Sequence, residues 1–171
     1  DAAGRFWAGS MDDALIQLTG WLYRLDPDLT WRRIDGGYVC TNGPAFSPDG
    51  RTIYHADSRG KTVYAYDLSA AGQATNKRVF VRFAVGEGVP DGMTTDTEGF
   101  VWVCHWDGWR ITRFRPDGKV DRVVPMPVAR VTSCAFGGPD FATLYVTSAS
   151  TGLDAAALAR QPLAGGLFAL D

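Results

Sequence analysis

Apolar and polar positions alternate along most of this chain in short runs, and the runs recur. Four begin with a Gly or loop residue and continue into an apolar-aromatic stretch: Gly4-Arg5-Phe6-Trp7-Ala8, Gly50-Arg51-Thr52-Ile53-Tyr54, Gly99-Phe100-Val101-Trp102-Val103 and Ala142-Thr143-Leu144-Tyr145-Val146. With Trp7, Tyr54, Trp102 and Tyr145 as markers, the steps are 47, 48 and 43 residues. Each marker is followed by a second alternating run: Trp21–Leu25, Thr62–Tyr66, Arg110–Phe114 and Gly166–Leu170. A third follows in three cases, at Trp31–Ile34, Lys77–Val81 and Val120–Val124. A period of two over such short segments, closed by turns such as Asp26-Pro27-Asp28 and Arg115-Pro116-Asp117-Gly118, predicts half-buried antiparallel strands.

One more short run precedes three of the markers: Gly43–Ser47, Gly92–Asp96 and Ser133–Gly137. That makes four strands per repeat, the signature of an all-β fold built of β-propeller blades. Nothing shows a sustained 3.6-residue period. A single short helix is predicted over Leu153–Arg160, with Asp154 near its start. The chain holds about three and a half repeats, and the first lacks its innermost strand. Because propellers close with about four to eight blades, the expectation is a C-terminal portion, residues 1–171, of one larger propeller domain whose N-terminal blades precede Asp1.

Composition narrows the class. Lys and Arg number 17 against 19 Asp and Glu, so no basic face for nucleic acid is expected. No apolar run approaches the roughly 20 residues of a membrane span. The 46% hydrophobic and 12% aromatic content excludes a disordered chain. Cys40, Cys104 and Cys134 are odd in number and lack a C-x-x-C spacing, so all three are expected to be buried free thiols. The expected location is cytoplasmic; a leader, if there is one, would lie before Asp1. The pattern says nothing of oligomeric state.

Candidate chemistry follows from the repeat. The innermost strands of a propeller line its central channel, so polar residues where each begins converge on the axis. Asn42 lies 12 residues before Tyr54, Asp91 lies 11 before Trp102, and Ser133, next to Thr132, lies 12 before Tyr145. An amide oxygen and a carboxylate are hard donors suited to Ca²⁺, Mg²⁺ or Mn²⁺, with Zn²⁺ as a further option. The competing reading is that Asn-Gly and Asp-Gly are ordinary turn dipeptides.

The sequence resembles the SMP-30/gluconolactonase/LRE family, to which regucalcin-like proteins and sugar lactonases belong. The resemblance spans essentially the whole chain. It rests on Gly4–Met11, on Asn42-Gly43-Pro44-Ala45-Phe46-Ser47-Pro48-Asp49, on Pro90-Asp91-Gly92-Met93, on Thr132–Gly138, on Leu144–Thr147 and on Arg160–Gly166. It implies a six-bladed propeller with one divalent metal ion in the channel, Ca²⁺ favoured. It implies Asn42 and Asp91 as metal ligands and Asp91 also as the catalytic base, opening a small-molecule sugar lactone. The family's third ligand, a Glu, and its substrate-contacting Arg and Asn are expected before Asp1, so these 171 residues alone are expected to be inactive. Two alternatives stand beside the lactonase: a non-catalytic calcium-binding or interaction propeller, and an esterase or organophosphatase on the same scaffold.

Other side chains are weaker candidates. His55 and His105, each close behind a marker aromatic, could face the channel but are read as structural. Asp57 and Ser58 follow an inner strand and could reach behind the metal or form a turn. Asp12 and Asp13 are read as loop residues, and Glu87 and Glu98 as surface charges. Trp106 and Trp109 either wall a sugar site or pack between blades. A serine hydrolase is excluded, since no G-x-S-x-G elbow occurs, and no Walker or dinucleotide loop opens a helix.

Overall fold

The computed structural model describes residues 1–170. Four antiparallel sheets follow one another along the chain, each a meander whose strands pair in sequence order. The first holds β1 (Phe6–Gly9), β2 (Gly20–Leu25) and β3 (Trp31–Tyr38). The second holds β4 (Thr41–Phe46), β5 (Thr52–Asp57), β6 (Thr62–Leu68) and β7 (Ala74–Arg82). The third holds β8 (Val89–Thr95), β9 (Val101–Trp106), β10 (Arg110–Phe114) and β11 (Val120–Pro125). The fourth holds β12 (Val131–Gly137), β13 (Thr143–Ser148) and β14 (Leu167–Leu170), with α1 (Ala155–Arg160) between the last two. The chain is therefore all-β apart from one helical turn and a half. No helix among the described residues is long and apolar enough to cross a membrane.

The repeat is visible in its hydrogen bonds as well as its spacing. Before β9, Asp96 accepts from the Glu98 and Phe100 backbone N–H groups through Oδ1 and from the indole N–H of the marker Trp102 through Oδ2, at 2.9 Å. Before β1, Asp1 repeats the pattern on Ala3, Arg5 and the marker Trp7, at 2.8 Å to the indole. The turn closes through a left-handed residue, Gly99 at φ +82° and Gly4 at φ +76°, where a side chain would be strained. A carboxylate that satisfies two turn amides and the marker aromatic of the next strand thus fixes where β1 and β9 begin.

Alternation then decides which face is buried. In β2 every second residue is buried, with Leu22 fully so. Three apolar cores result, one between each pair of consecutive sheets. Trp7 and Leu22 meet Ile53 and Tyr66; Tyr54 and Val63 meet Val101 and Phe114; Ile111 and Cys104 meet Val131 and Val146. Each fully buried side chain of this size contributes about 1.5–3 kcal/mol over its exposed state. At the inner edge the strands β4, β8 and β12 lie side by side. A Cβ on Gly92 of β8 would sit 2.5 Å from Ser133 Oγ of β12, so only glycine allows that approach.

The structure moves some boundaries. The inner strands begin at Thr41, Val89 and Val131, two or three residues earlier than the apolar runs predict, because backbone pairing continues through the polar residues. The helix begins at Ala155, since Asp154 is its N-cap and accepts from Ala157 N at 2.7 Å. Cys104 and Cys134 are buried thiols as expected, but Cys40 is only half-buried.

Candidate metal centre

Each inner strand breaks its register beside the polar residue singled out in the sequence. In β4 the pairing jumps from Asn42 to Ala45, in β8 from Pro90 to Met93, and in β12 from Val131 to Ser133. Bulges of this kind re-aim side chains and gather near functional sites. Asn42 and Asp91 thus lie inside strands, at their irregular ends, and not in plain turns.

Asn42 is oriented by a chain of hydrogen bonds. Ser58 Oγ donates to the carbonyl oxygen of Pro90 at 2.7 Å, which can only accept. The lone pairs of Ser58 Oγ are left to accept, and Asn42 Nδ2 donates to them at 3.0 Å. The donor order turns the amide nitrogen toward Ser58, and Asn42 Oδ1 has no hydrogen-bond partner among the described residues. Pro90 immediately precedes Asp91, so Ser58 bridges the two strands that carry the candidate ligands.

Asp91 has no ion-pair partner among the described residues. Burial pushes its carboxyl up from 3.8 to about 7, opposed only by a hydrogen bond from the Gly92 N–H. It lines a cavity of about 280 Å³ together with Met11, Leu15, Cys40, Ser58, Arg59, Val89 and Trp106. The wall is mostly apolar, with one carboxylate and one guanidinium. Asn42 is not among the lining residues but touches two of them, Ser58 and Cys40. No group of three or more His, Cys, Asp or Glu able to hold a metal occurs among the described residues. Two oxygen-bearing groups would be offered to a cation: an amide oxygen without a hydrogen-bond partner among the described residues and a desolvated carboxylate that shares its cavity with Arg59 without pairing to it. That donor set fits a hard divalent ion, which takes six to eight oxygens in all for Ca²⁺.

The weaker candidates separate. Ser58 belongs to the site and is 5% exposed. Its neighbour Asp57 accepts from Gly60 N at 3.0 Å and serves a turn. Trp106 walls the cavity, with the Arg130 guanidinium 4.9 Å from its ring centre, whereas Trp109 is 45% exposed and outside the wall. In the third inner strand Thr132 pairs its hydroxyl with that of Thr147 at 2.7 Å, and Ser133 packs against Gly92; neither lines the cavity. Asp12 caps its own loop, accepting from Ile16 and Gln17, and Asp13 is exposed. Glu87 pairs with Arg110 at 2.8 Å, and Glu98 pairs with Arg113.

Neither histidine lines the cavity. His55 lies one residue and His105 three residues beyond its marker, and both are 1% exposed between sheets. His55 packs on Tyr38, 4.9 Å between ring centres, and neither of its nitrogens has a hydrogen-bond partner among the described residues. His105 stacks on Phe83 at 4.2 Å and places Nδ1 2.7 Å from the Glu87 carbonyl, which makes that nitrogen the protonated one. The residues missed by sequence reasoning are Cys40, Arg59, Met11, Leu15 and Val89. Cys40 was open to detection, since it stands two residues before Asn42 and side chains two apart share a face.

A family model described as the SMP-30/gluconolactonase/LRE-like region matches residues 1–150. The chain is 43% identical to regucalcin of Danio rerio over 172 residues, covering 98% of this chain and 58% of that protein. It is 38% identical to 6-deoxy-6-sulfogluconolactonase of Pseudomonas putida over 170 residues, covering 99% of this chain and 58% of that one. The crystal structure of a calcium-binding protein, regucalcin, from Agrobacterium tumefaciens superposes with a TM-score of 0.93 at 29% identity, over 98% of this chain and 57% of the other. The chain thus spans somewhat over half the length of the relatives it matches.

Proposed function

Because the chain belongs to the SMP-30/gluconolactonase/LRE-like family, we propose that it supplies the metal-binding inner strands of a lactone hydrolase, as about three and a half blades of a six-bladed ring. Asn42, through Oδ1, and Asp91, through its carboxylate, would hold one divalent cation, with Ca²⁺ favoured. The observation that carries this reading is the buried, ion-pair-free carboxylate of Asp91 beside a cavity, joined through Ser58 to an amide whose oxygen is left free.

A lactone is a cyclic ester, and opening it needs a polarised carbonyl and a water stripped of a proton. When bound, the cation supplies the polarisation as a Lewis acid. Asp91 takes the water proton at a carboxylate oxygen while the water oxygen bonds to the carbonyl carbon. The ring acyl–oxygen bond then breaks, the proton held on Asp91 passes to the departing ring oxygen, and a hydroxy acid is released with the Asp91 carboxylate restored. A carboxyl near 7 without a cation becomes a stronger acid beside one, which keeps Asp91 ionised at neutral pH. Trp106, Val89, Leu15 and Met11 give the cavity the apolar walls that exclude bulk water from a sugar-sized substrate.

The test is acid release from glucono-δ-lactone by the full-length protein in a pH-stat, with and without EDTA. The expected result is loss of turnover on chelation, restoration by Ca²⁺, and a fall in kcat/KM of about 10²–10⁴ for Asp91→Ala. Turnover indifferent to EDTA, or undiminished in Asp91→Ala, would defeat the proposal. The solved relative described as a calcium-binding protein favours one second reading, metal binding without catalysis. That reading predicts a Ca²⁺-dependent rise in Tm and no turnover on a panel of lactones.

A further inference from the structure

We infer that Ser58 is a positioning residue that couples Asn42 to Asp91 and holds the Asn42 amide with its oxygen available. The inference rests on the reading of Asn42 and Asp91 as ligands and goes beyond it, because Ser58 itself contributes no ligand.

Ser58 is held before it acts. It follows the last residue of β5, its N–H donates to the Cys40 carbonyl at 2.9 Å, and its carbonyl accepts from Lys61 N at 3.2 Å. The backbone is therefore pinned to the segment leading into β4. The side chain is 5% exposed, and its hydroxyl makes two directed bonds to two different strands. It accepts from Asn42 Nδ2 in β4 at 3.0 Å and donates to the Pro90 carbonyl in β8 at 2.7 Å. These bonds sit at the register breaks of both strands, where ladder pairing does not fix the backbone.

The chemistry explains why a hydroxyl suits the position. A carboxamide has two ends of nearly equal shape, and only the oxygen can bind a cation. Without Ser58, the remaining close partner of Nδ2 is Cys40 Sγ at 3.9 Å, a weak acceptor. The amide would then turn between orientations, and part of the population would present NH₂ to the cation. The Pro90 carbonyl, immediately before Asp91, would lose its bond at the same time. Alanine keeps the backbone bonds and removes both effects of the hydroxyl.

The experiment is isothermal titration of the full-length apo protein with Ca²⁺, alongside apo-state thermal melts. Ser58→Ala is measured in the native background and in an Asn42→Asp background, where both side-chain ends are oxygen and no orientation has to be chosen. Asp91→Ala is the control. The expected result is a 10–100-fold weaker Kd for Ser58→Ala in the native background, the range for residues behind a metal ligand. In the Asn42→Asp background the loss should be at least threefold smaller, because only the bond to the Pro90 carbonyl is then at stake, and the apo Tm should stay within a few degrees. Three results would overturn the inference while leaving the ligand reading intact: a native-background Kd unchanged within threefold while Asp91→Ala abolishes binding, an equal loss in both backgrounds, or a Ser58→Ala protein with no cooperative melt. Calcium binding undiminished in Asp91→Ala would instead remove the ligand reading and this inference with it.

Discussion

Replacing His55 by leucine should flatten the acid sensitivity of this fold. His55 sits in β5, 1% exposed, with both ring nitrogens unpartnered. Burial lowers its pKa from 6.5 to about 4, with Asp35 opposing that shift and Lys77 adding to it. The folded pKa lies below the unfolded one, so between them the unfolded chain binds more protons and stability rises with pH. Stability conferred by the neutral ring is complete above 6.5 and is lost as the pH falls through 4. At pH 4.5 the difference in protonation amounts to about 2–3 kcal/mol for this one residue. His105, equally buried and also lowered to about 4, adds a similar amount. Against total stabilities of about 5–15 kcal/mol, these are large fractions. Asp91 acts with the opposite sign, because its folded pKa is raised. The diagnostic is therefore the difference between wild type and His55→Leu, and not the wild-type slope. Urea unfolding at pH 7.5 and 4.5 measures it. At pH 7.5 the variant should match or exceed wild type, since two unsatisfied buried polar atoms are gone. Between the two pH values it should lose about 2–3 kcal/mol less than wild type. Equal losses in the two proteins would refute the reasoning.

Two further perturbations probe the scaffold. Gly92→Ala would place a Cβ 2.5 Å from Ser133 Oγ and 2.7 Å from the Thr132 carbonyl oxygen. It should cost about 1–3 kcal/mol in urea melts and weaken Ca²⁺ binding measured by titration, because the same bulge aims Asp91. Arg113→Met removes the cation held between Asp96 and Asp121, at 2.7 and 2.8 Å, over the Phe100 ring at 3.7 Å. With a side chain only 13% exposed, its loss should cost about 2–3 kcal/mol. The deficit should shrink when Asp96 is also changed to Asn, a coupling that a double-mutant cycle reads directly.

The repeat, the strand positions and the two candidate ligands were legible because they depend on local order. Alternation predicts strands, turn chemistry marks their ends, and near-equal spacing, 12 and 11 residues before the markers, sets Asn42 and Asp91 at corresponding places in neighbouring repeats. The family resemblance rested on the same short motifs and is borne out by the comparisons. Failures came where one residue's offset or one strand's face mattered. Asp57 and Ser58 are adjacent and chemically plausible alike, yet one closes a turn and the other bridges two strands. Trp106 and Trp109 are three apart, and only the first meets the cavity. Alternation says that His55 and His105 lie on a strand, but not whether the facing surface is a channel or another sheet.

The sequence by itself thus determined the elements and their repetition, since strand period, turn residues and blade length are set by neighbours along the chain. Only the tertiary structure decided the environment of each polar group. Desolvation of Asp91, the orientation of the Asn42 amide and the burial of both histidines arise from atoms brought together from different strands. Those contacts join residues 16 and 32 positions apart, from Asn42 to Ser58 and from Ser58 to Pro90, a separation that a period-two pattern does not encode.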